Sequence, residues 1–271
     1  MLATTEDTGL EVLDLRSDSA FAARNLNVRD IGLQMEGLQR LSRALLENPD
    51  TILQELVHAA VDLCGADSAG ISIERDDKNE LQFYHWVATA GAYSGFLDAT
   101  LPRYPSACGI CLERDNAQHF TVSQKFFDIL GVEAPLVTDG ILLPWKTEDT
   151  RGTIFVMAHG RTEAFDENDA RLMKMLADFA AMGFKQQKQH ARSLAQERLA
   201  AASQMAHELA HQINNPLQSM TNSAYLVAEG TSQIDPRVLG RELSNDIQRL
   251  SSLVKELLAL PGQENRTAKS N

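Results

Sequence analysis

Two histidines four residues apart carry the most pointed chemistry in this chain. Residues 205–218 read MAHELAHQINNPLQ, with His207 and His211 followed by Glu208, Gln212, Asn214, Asn215 and Pro216. A neutral imidazole is a competent nucleophile near neutral pH, because its unperturbed pKa is about 6.5. On a helix, His211 sits about 200° around the axis from Ile213, a member of an apolar stripe, so its ring is expected to face outward. The amide oxygen of Gln212 can accept a hydrogen bond from an imidazole N–H, but it cannot take up a proton. His207, one turn earlier on the same face and followed by Glu208, is the alternative acceptor. The plainer alternative is a pair of surface histidines.

A second group of residues suggests a pocket. Phe83, Trp86, Tyr93, Phe96 and Tyr104 cluster within one stretch of chain, and Cys108-Gly109-Ile110-Cys111 follows it. The aromatics either line a small-molecule pocket or simply fill a core. The C-x-x-C pair is compatible with a thiol switch or half of a zinc site. The third cysteine, Cys64, is remote in sequence, so no metal site is expected. His85, on an aromatic strand, reads as a core histidine with its hydrogen bonds satisfied. Neither a P-loop nor a hydrolytic triad signature is present, which leaves a stand-alone enzyme without support.

These residues need elements to position them. Residues 1–27 are acidic, rich in Ser, Thr and Asn and lack sustained periodicity, and they read as a loose tail. From Ile31 the pattern is helical, with Ile31, Leu38, Leu41, Leu45 and Leu46 on one face. Asn48-Pro49-Asp50 breaks it, and Asp50 or Thr51 caps a second helix carrying Ile52, Leu53, Leu56, Val57, Ala60 and Leu63. Strands are expected at residues 69–73, 81–88, 118–122, 141–145 and 153–158, with a polar turn at 76–79 and irregular chain over 89–117. A helical signal then runs from Asp166 to about Asn215, interrupted only by Gly183. It is polar all round at 185–192, as a solvent-exposed linking helix would be. After a loop at 230–236, a last helix over about 237–260 carries Leu243, Ile247, Leu250, Val254 and Leu257, a heptad seam. Pairing two such hairpins into a four-helix bundle would bury their seams.

Composition bounds the partners. The chain has 271 residues, 44% apolar and 23% charged, with a net charge of −12. That sign opposes nonspecific binding to nucleic acid or to anionic membrane. No apolar run approaches the ~20 residues needed to span a bilayer, and the N-terminus does not look like a signal peptide. A cytoplasmic location, with reduced thiols, is the expectation.

The histidine segment resembles the phosphoacceptor box of sensor histidine kinases. In that family a His is followed after four residues by Pro-Leu, often as His-Glu-x-x-Asn-Pro-Leu. His211, Asn214, Asn215, Pro216 and Leu217 match, and the resemblance extends over about residues 190–260. It implies a dimerisation and phosphoacceptor hairpin at 186–262, followed by a tail at 263–271. It makes His211 the acceptor and associates Asn215 with phosphatase activity in the family. Two departures stand out. Gln212 occupies the position where kinases carry Glu or Asp, the carboxylate that orients the ring and accepts its proton. Only 11 residues follow Leu260, with no match to the family's ATP-binding boxes, so ATP is not expected to bind. The chain is then either a partner that exchanges phosphate with a receiver domain and a separate histidine-kinase ATPase, or a fragment of a longer kinase.

Residues of about 30–184 resemble a GAF domain in their order of helices and strands. DENDARLMKMLADFAA looks like the closing helix, and PSACGICLERDNAQHF with ILLPWKTEDTRGTIFVMAHG like the middle and late strands. The resemblance implies a sensor domain over 28–185, of α+β class, with an antiparallel sheet and flanking helices. GAF domains typically hold a small ligand between the sheet and the irregular segment, and here its identity is unknown. A Cys-His pair of the kind that attaches linear tetrapyrroles is missing. The whole reads as a homodimeric two-component signalling protein. The first rival is an interaction module that docks a kinase or receiver without phosphotransfer.

Overall fold

The computed structural model describes residues 8–75, 83–229 and 235–259. It divides into two compact units, Met1–Ala191 and Arg192–Asn271, each taken by itself below. The expected turn at 76–79, most of the loop after Glu229 and the tail at 263–271 lie outside the described residues. No helix among the described residues is long and apolar enough to cross a membrane.

The first unit is built on one antiparallel sheet of seven strands. They are β1 (Leu10–Asp14), β2 (Ser68–Glu74), β3 (Tyr84–Gly91), β4 (Thr100–Leu101), β5 (Gln118–Val122), β6 (Asp139–Lys146) and β7 (Arg151–Ala158). Their order across the sheet is β1-β5-β6-β7-β2-β3-β4. The helices are α1 (Ser19–Ala22), α2 (Ile31–Glu47), α3 (Ile52–Cys64), α4 (Ala107–Arg114), α5 (Gln124–Leu130) and the start of α6 (Glu167–Ala228). This is the α+β class expected.

Alternation along the central strands sorts side chains between two cores. On one face, Ile141, Leu143, Ile154 and Val156 meet Ile52 and Leu56 of α3 and Leu172 and Leu176 of α6. On the other, Leu142, Phe155 and Met157 meet Phe120, Phe126 and Phe127. Because β6 and β7 are covered on both faces, their sequences read as nearly continuous apolar runs.

One irregularity sets the site. Ala88 lies opposite Ile71 but Trp86 lies opposite Ser72, so Val87 is the extra residue of a β-bulge. Ala88 and Ala90 face the helix-covered core. Strict alternation would send Trp86 the same way, yet it packs on the opposite core.

Several expectations need correction. Residues 1–27 are not a loose tail throughout: β1 pairs with β5, and Leu10 and Val12 are buried. A five-residue edge strand is too short to show periodicity, and its pairing is non-local. The 89–117 stretch is not simply irregular. It holds α4, capped by Ser106, whose Oγ accepts from the Gly109 N–H. The expected helix face of α2 is narrower than its apolar pattern, since Leu41 is buried but Ile31 and Leu46 are exposed. Gly183 does not interrupt α6. A Cβ there would sit 3.1 Å from Ile52, so its smallness serves close packing on α3.

The start of α6 is a reciprocal cap. Asp166 Oδ1 accepts from the N–H groups of Asn168 (2.7 Å) and Asp169 (3.2 Å), and the Asp166 N–H donates to Asp169 Oδ2 at 3.2 Å. The second unit contains the end of α6, with Pro216 inside it, and α7 (Pro236–Ala259).

Candidate functional site

A cavity of about 350 Å³ lies on the face of the sheet opposite α3. The bulge at Val87 brings Trp86 to its wall. There the indole is stacked with Tyr93 (6.0 Å between centroids), tilted against Phe155 (4.9 Å) and edge-on to Phe96 (6.2 Å). α5 and the chain after it supply Phe126, Phe127, Ile129, Leu130, Val132 and Ala134. α4 supplies Ala107 and Cys108. Phe120 and Leu142 complete the sheet side.

Most polar atoms here are committed elsewhere; the exception is the Trp86 indole N–H, which is buried without a hydrogen-bond partner among the described residues. The Tyr93 hydroxyl donates to the Pro135 carbonyl at 2.7 Å, and burial pushes the phenol up from its ordinary value. Cys108 Sγ accepts from Thr153 Oγ1 at 3.2 Å. Burial raises its thiol more than the hydrogen bonds from Thr153, Ser72 and Ser106 lower it. A Tyr93 wedge is fixed behind the cavity: its N–H donates to Ser68 Oγ, which lies 2.7 Å from His159 Nε2, and the His159 ring stacks on the Tyr93 ring at 4.9 Å.

Of the residues expected to line a pocket, Trp86, Tyr93, Phe96 and Cys108 do so. Three do not. Phe83 packs beside Tyr84 and Arg103, outside the cavity. Tyr104 is exposed and donates to Glu113. Cys111 is buried in the core on this side of the sheet, with its thiol directed to the carbonyls of Asn116 and Leu142. Phe83 and Tyr104 miss because the aromatic run crosses from strand to edge to loop, whereas the cavity forms on one face only; Cys111 misses because its turn of α4 faces the sheet. The phenylalanines of β5, β7 and α5 line the cavity without belonging to the aromatic stretch at 83–104; the alternation in QHFTV and the Phe126-Phe127 pair are their signal in the sequence.

All three cysteines are free and buried. Burial raises the thiols of Cys64 and Cys111 as it does that of Cys108. Reactive thiols need the opposite environment. Among the described residues there is no group of three or more His, Cys, Asp or Glu that could hold a metal ion. His85 is occupied: Nδ1 lies 2.9 Å from Arg75 Nη2 and Nε2 3.1 Å from Asp98 Oδ1.

In the second unit, His207 and His211 are both exposed on α6, with ring centroids 6.4 Å apart. Gln212 and Asn215 are exposed beside them, and Pro216 is buried. Pro216 has no N–H to offer the Gln212 carbonyl one turn back, so that carbonyl lacks its intrahelical partner. On α7, Leu239 and Leu253 are buried, whereas Ile247 and Val254 are 51% and 48% exposed.

Comparison with known proteins bears on the first unit. The GAF domain family model matches residues 48–184. No curated protein matches the chain. Among solved structures, the chain is similar to the GAF domain of an Acinetobacter phosphoenolpyruvate-protein phosphotransferase. Identity is 14%, coverage 60% of this chain and 97% of that one, and the TM-score 0.45. It is also similar to free methionine-R-sulfoxide reductase from Neisseria meningitidis in complex with its substrate (16%; 62% and 98%; 0.45). A third is the phycoerythrobilin-bound GAF domain of a cyanobacterial phytochrome (14%; 62% and 98%; 0.44). With a family model spanning half of its length, this chain belongs to the GAF domain family.

Proposed function

We propose that this protein is a homodimeric two-component signalling protein, in which a ligand-sensing GAF domain governs a phosphoacceptor histidine, His211. The observation that carries the reading is the state of the HQINNPL segment. His211, Gln212, Asn214 and Asn215 are exposed on α6 while Pro216 is buried. The ring is thereby open to a receiver domain's phosphoaspartate or to a separate kinase ATPase. The unprotonated ring nitrogen of His211 attacks phosphorus as the P–O bond to the donor breaks, the aspartate carboxylate or ADP leaving with that electron pair. Gln212 holds the other ring N–H through its amide oxygen, and that proton is lost to solvent rather than to Gln212. Asn215, on the same exposed segment, is suited to hold a water against the receiver's phosphoaspartate.

Dimerisation is supported by α7. Leu239 and Leu253 are covered within the chain, but Ile247 and Val254, seven residues apart, are left to a second copy. α6 is the coupling element, because one continuous helix holds both the wall against α3 and His211. A cytoplasmic setting suits the three reduced thiols and the absence of a membrane-crossing helix among the described residues.

Gln212 favours a second reading, a module that docks a kinase or receiver without carrying phosphate. Incubation of the whole protein with phosphorylated receivers, and separately with a histidine-kinase ATPase domain and ATP, distinguishes them. Phosphotransfer predicts acid-labile label that is lost in His211→Ala and kept in His207→Ala. The docking module predicts complex formation that survives His211→Ala, without label.

A further inference from the structure

The sensory reading leaves the ligand unspecified, and the walls of the cavity narrow it. Among the described residues, none that lines the cavity is Asp, Glu, Lys, Arg or His. Its two ionisable groups, the Tyr93 phenol and the Cys108 thiol, are both pushed up by burial and stay neutral near pH 7. Each is already engaged, with the Pro135 carbonyl and with Thr153. Among the described residues of the lining, Thr100 is the one other side chain that bears a hydroxyl, and the Trp86 indole N–H, buried and without a partner, is the remaining donor.

A carboxylate or phosphate entering this space would shed its water and meet no cation among the described residues, an unfavourable exchange. Nucleotides and linear tetrapyrroles bearing propionates are therefore disfavoured. What the walls do offer is ring faces: Trp86, Phe96 and Phe155 lie within 6.2 Å of one another in the pairs that Trp86 makes. Such faces reward flat apolar ligands beyond simple burial. The mouth has the same character. Ile129 and Val132 line the cavity yet are 51% and 41% exposed, a degree of apolar exposure expected at an entrance. The volume of about 350 Å³ equals that of roughly a dozen waters in the liquid, at ~30 Å³ each, which suits one or two rings.

We propose that the ligand of this domain is an uncharged, mostly apolar ring compound of one or two rings, carrying at most one hydrogen-bonding group, which enters between Ile129 and Val132. The proposal rests on the cavity being the sensory site, and its test separates the two.

The probes are naphthalene and 2-naphthoate, a matched pair that differs by one carboxylate, applied to the whole protein by equilibrium dialysis. Circular dichroism verifies folding. Val132→Trp at an exposed position after α5 and Ala134→Trp at a half-buried one obstruct the cavity, the first with little risk to the core. The expected result is one naphthalene per chain, bound about 100-fold tighter than 2-naphthoate, and lost in both variants. Binding of 2-naphthoate as tight as naphthalene, and blocked by the same variants, overturns the ligand class while leaving the cavity as the site. If neither compound binds, or if binding ignores both tryptophans, the sensory cavity falls and the ligand class falls with it.

Discussion

Arg24 Nη1 lies 2.9 Å from Asp139 Oδ2, in an ion pair whose side chains are only 9% and 1% exposed. The same nitrogen donates to the Phe165 carbonyl at 2.8 Å, and Asp139 Oδ2 accepts from the Phe165 N–H at 3.0 Å. His119 joins the cluster, 2.7 Å from Asp139 and 3.0 Å from Asp18. A few residues on, Arg29 pairs with Asp169 at 3.0 Å, and the Asn27 N–H donates to Asp166. Residues 18–29 thus strap the sheet to the beginning of α6, the helix that carries His211.

Removing Arg24 takes the arginine partner from a buried carboxylate. Arg24→Ala is expected to lower stability by ~3 kcal/mol, because Asp139 keeps its desolvation penalty with only His119 and the Phe165 N–H left to offset it. Arg40→Ala breaks a pair with Asp62 whose side chains are 60% and 65% exposed, and is expected to cost no more than ~1 kcal/mol. Urea denaturation of the two variants checks the difference, and equal losses would contradict a buried strap.

Acid should act on two of these carboxyls in opposite senses. Burial pushes Asp139 up, but hydrogen bonds from His119 and Arg24 outweigh it and hold the carboxyl below its ordinary range. Its contribution to stability is present above the unfolded value of about 4 and is lost as pH falls through the folded one. At Asp169 burial prevails over Arg29, and the carboxyl is raised. Its contribution is present below about pH 4 and is lost as pH rises through the folded pKa. Asp169→Asn should therefore steepen the loss of stability on acidification, and Asp139→Asn should flatten it. Urea midpoints below about pH 4 measure the Asp139 slope, and midpoints above about pH 4 the Asp169 slope.

The cysteines should be inert in the folded protein. Cys64, Cys108 and Cys111 are enclosed with raised thiols, so alkylation at pH 7 is expected only as fast as the protein opens. Mass spectrometry after iodoacetamide, with and without urea, checks this. Rapid native modification of Cys108 or Cys111 would revive a thiol switch.

The dimer should depend on the uncovered side of α7. Ile247→Glu with Val254→Glu replaces two exposed residues, so the chain should fold but fail to pair. Sedimentation equilibrium is expected to show dimers for the parent and single chains for the variant. Single chains in both would remove the four-helix bundle.

Much of this fold is legible because two-sided burial writes itself into β6 and β7 as apolar runs, and because Leu172 and Leu176 mark the buried face of α6. What escaped depends on distant partners. β1 exists only through its pairing with β5, and Leu10 and Val12 alone are too few to announce it. The bulge at Val87 leaves no mark in YHWVATAG, yet it decides that Trp86 faces the cavity while Ala88 does not. Phe83 and Tyr104 look like cavity residues by type and spacing, but the turn of the edge strand takes them outside. Gly183 reads as a break in a helix, whereas its meaning is Ile52 on the other side of the contact.

The most direct measurement is of phosphohistidine on the whole protein, taken from its native cells at neutral pH and mapped by mass spectrometry under conditions that spare acid-labile phosphate. The expected result is phosphate on His211 and none at that site in a strain carrying His211→Ala. Phosphate on His207 instead, or an unmodified His211 under conditions where signalling proceeds, would contradict a phosphoacceptor at this position.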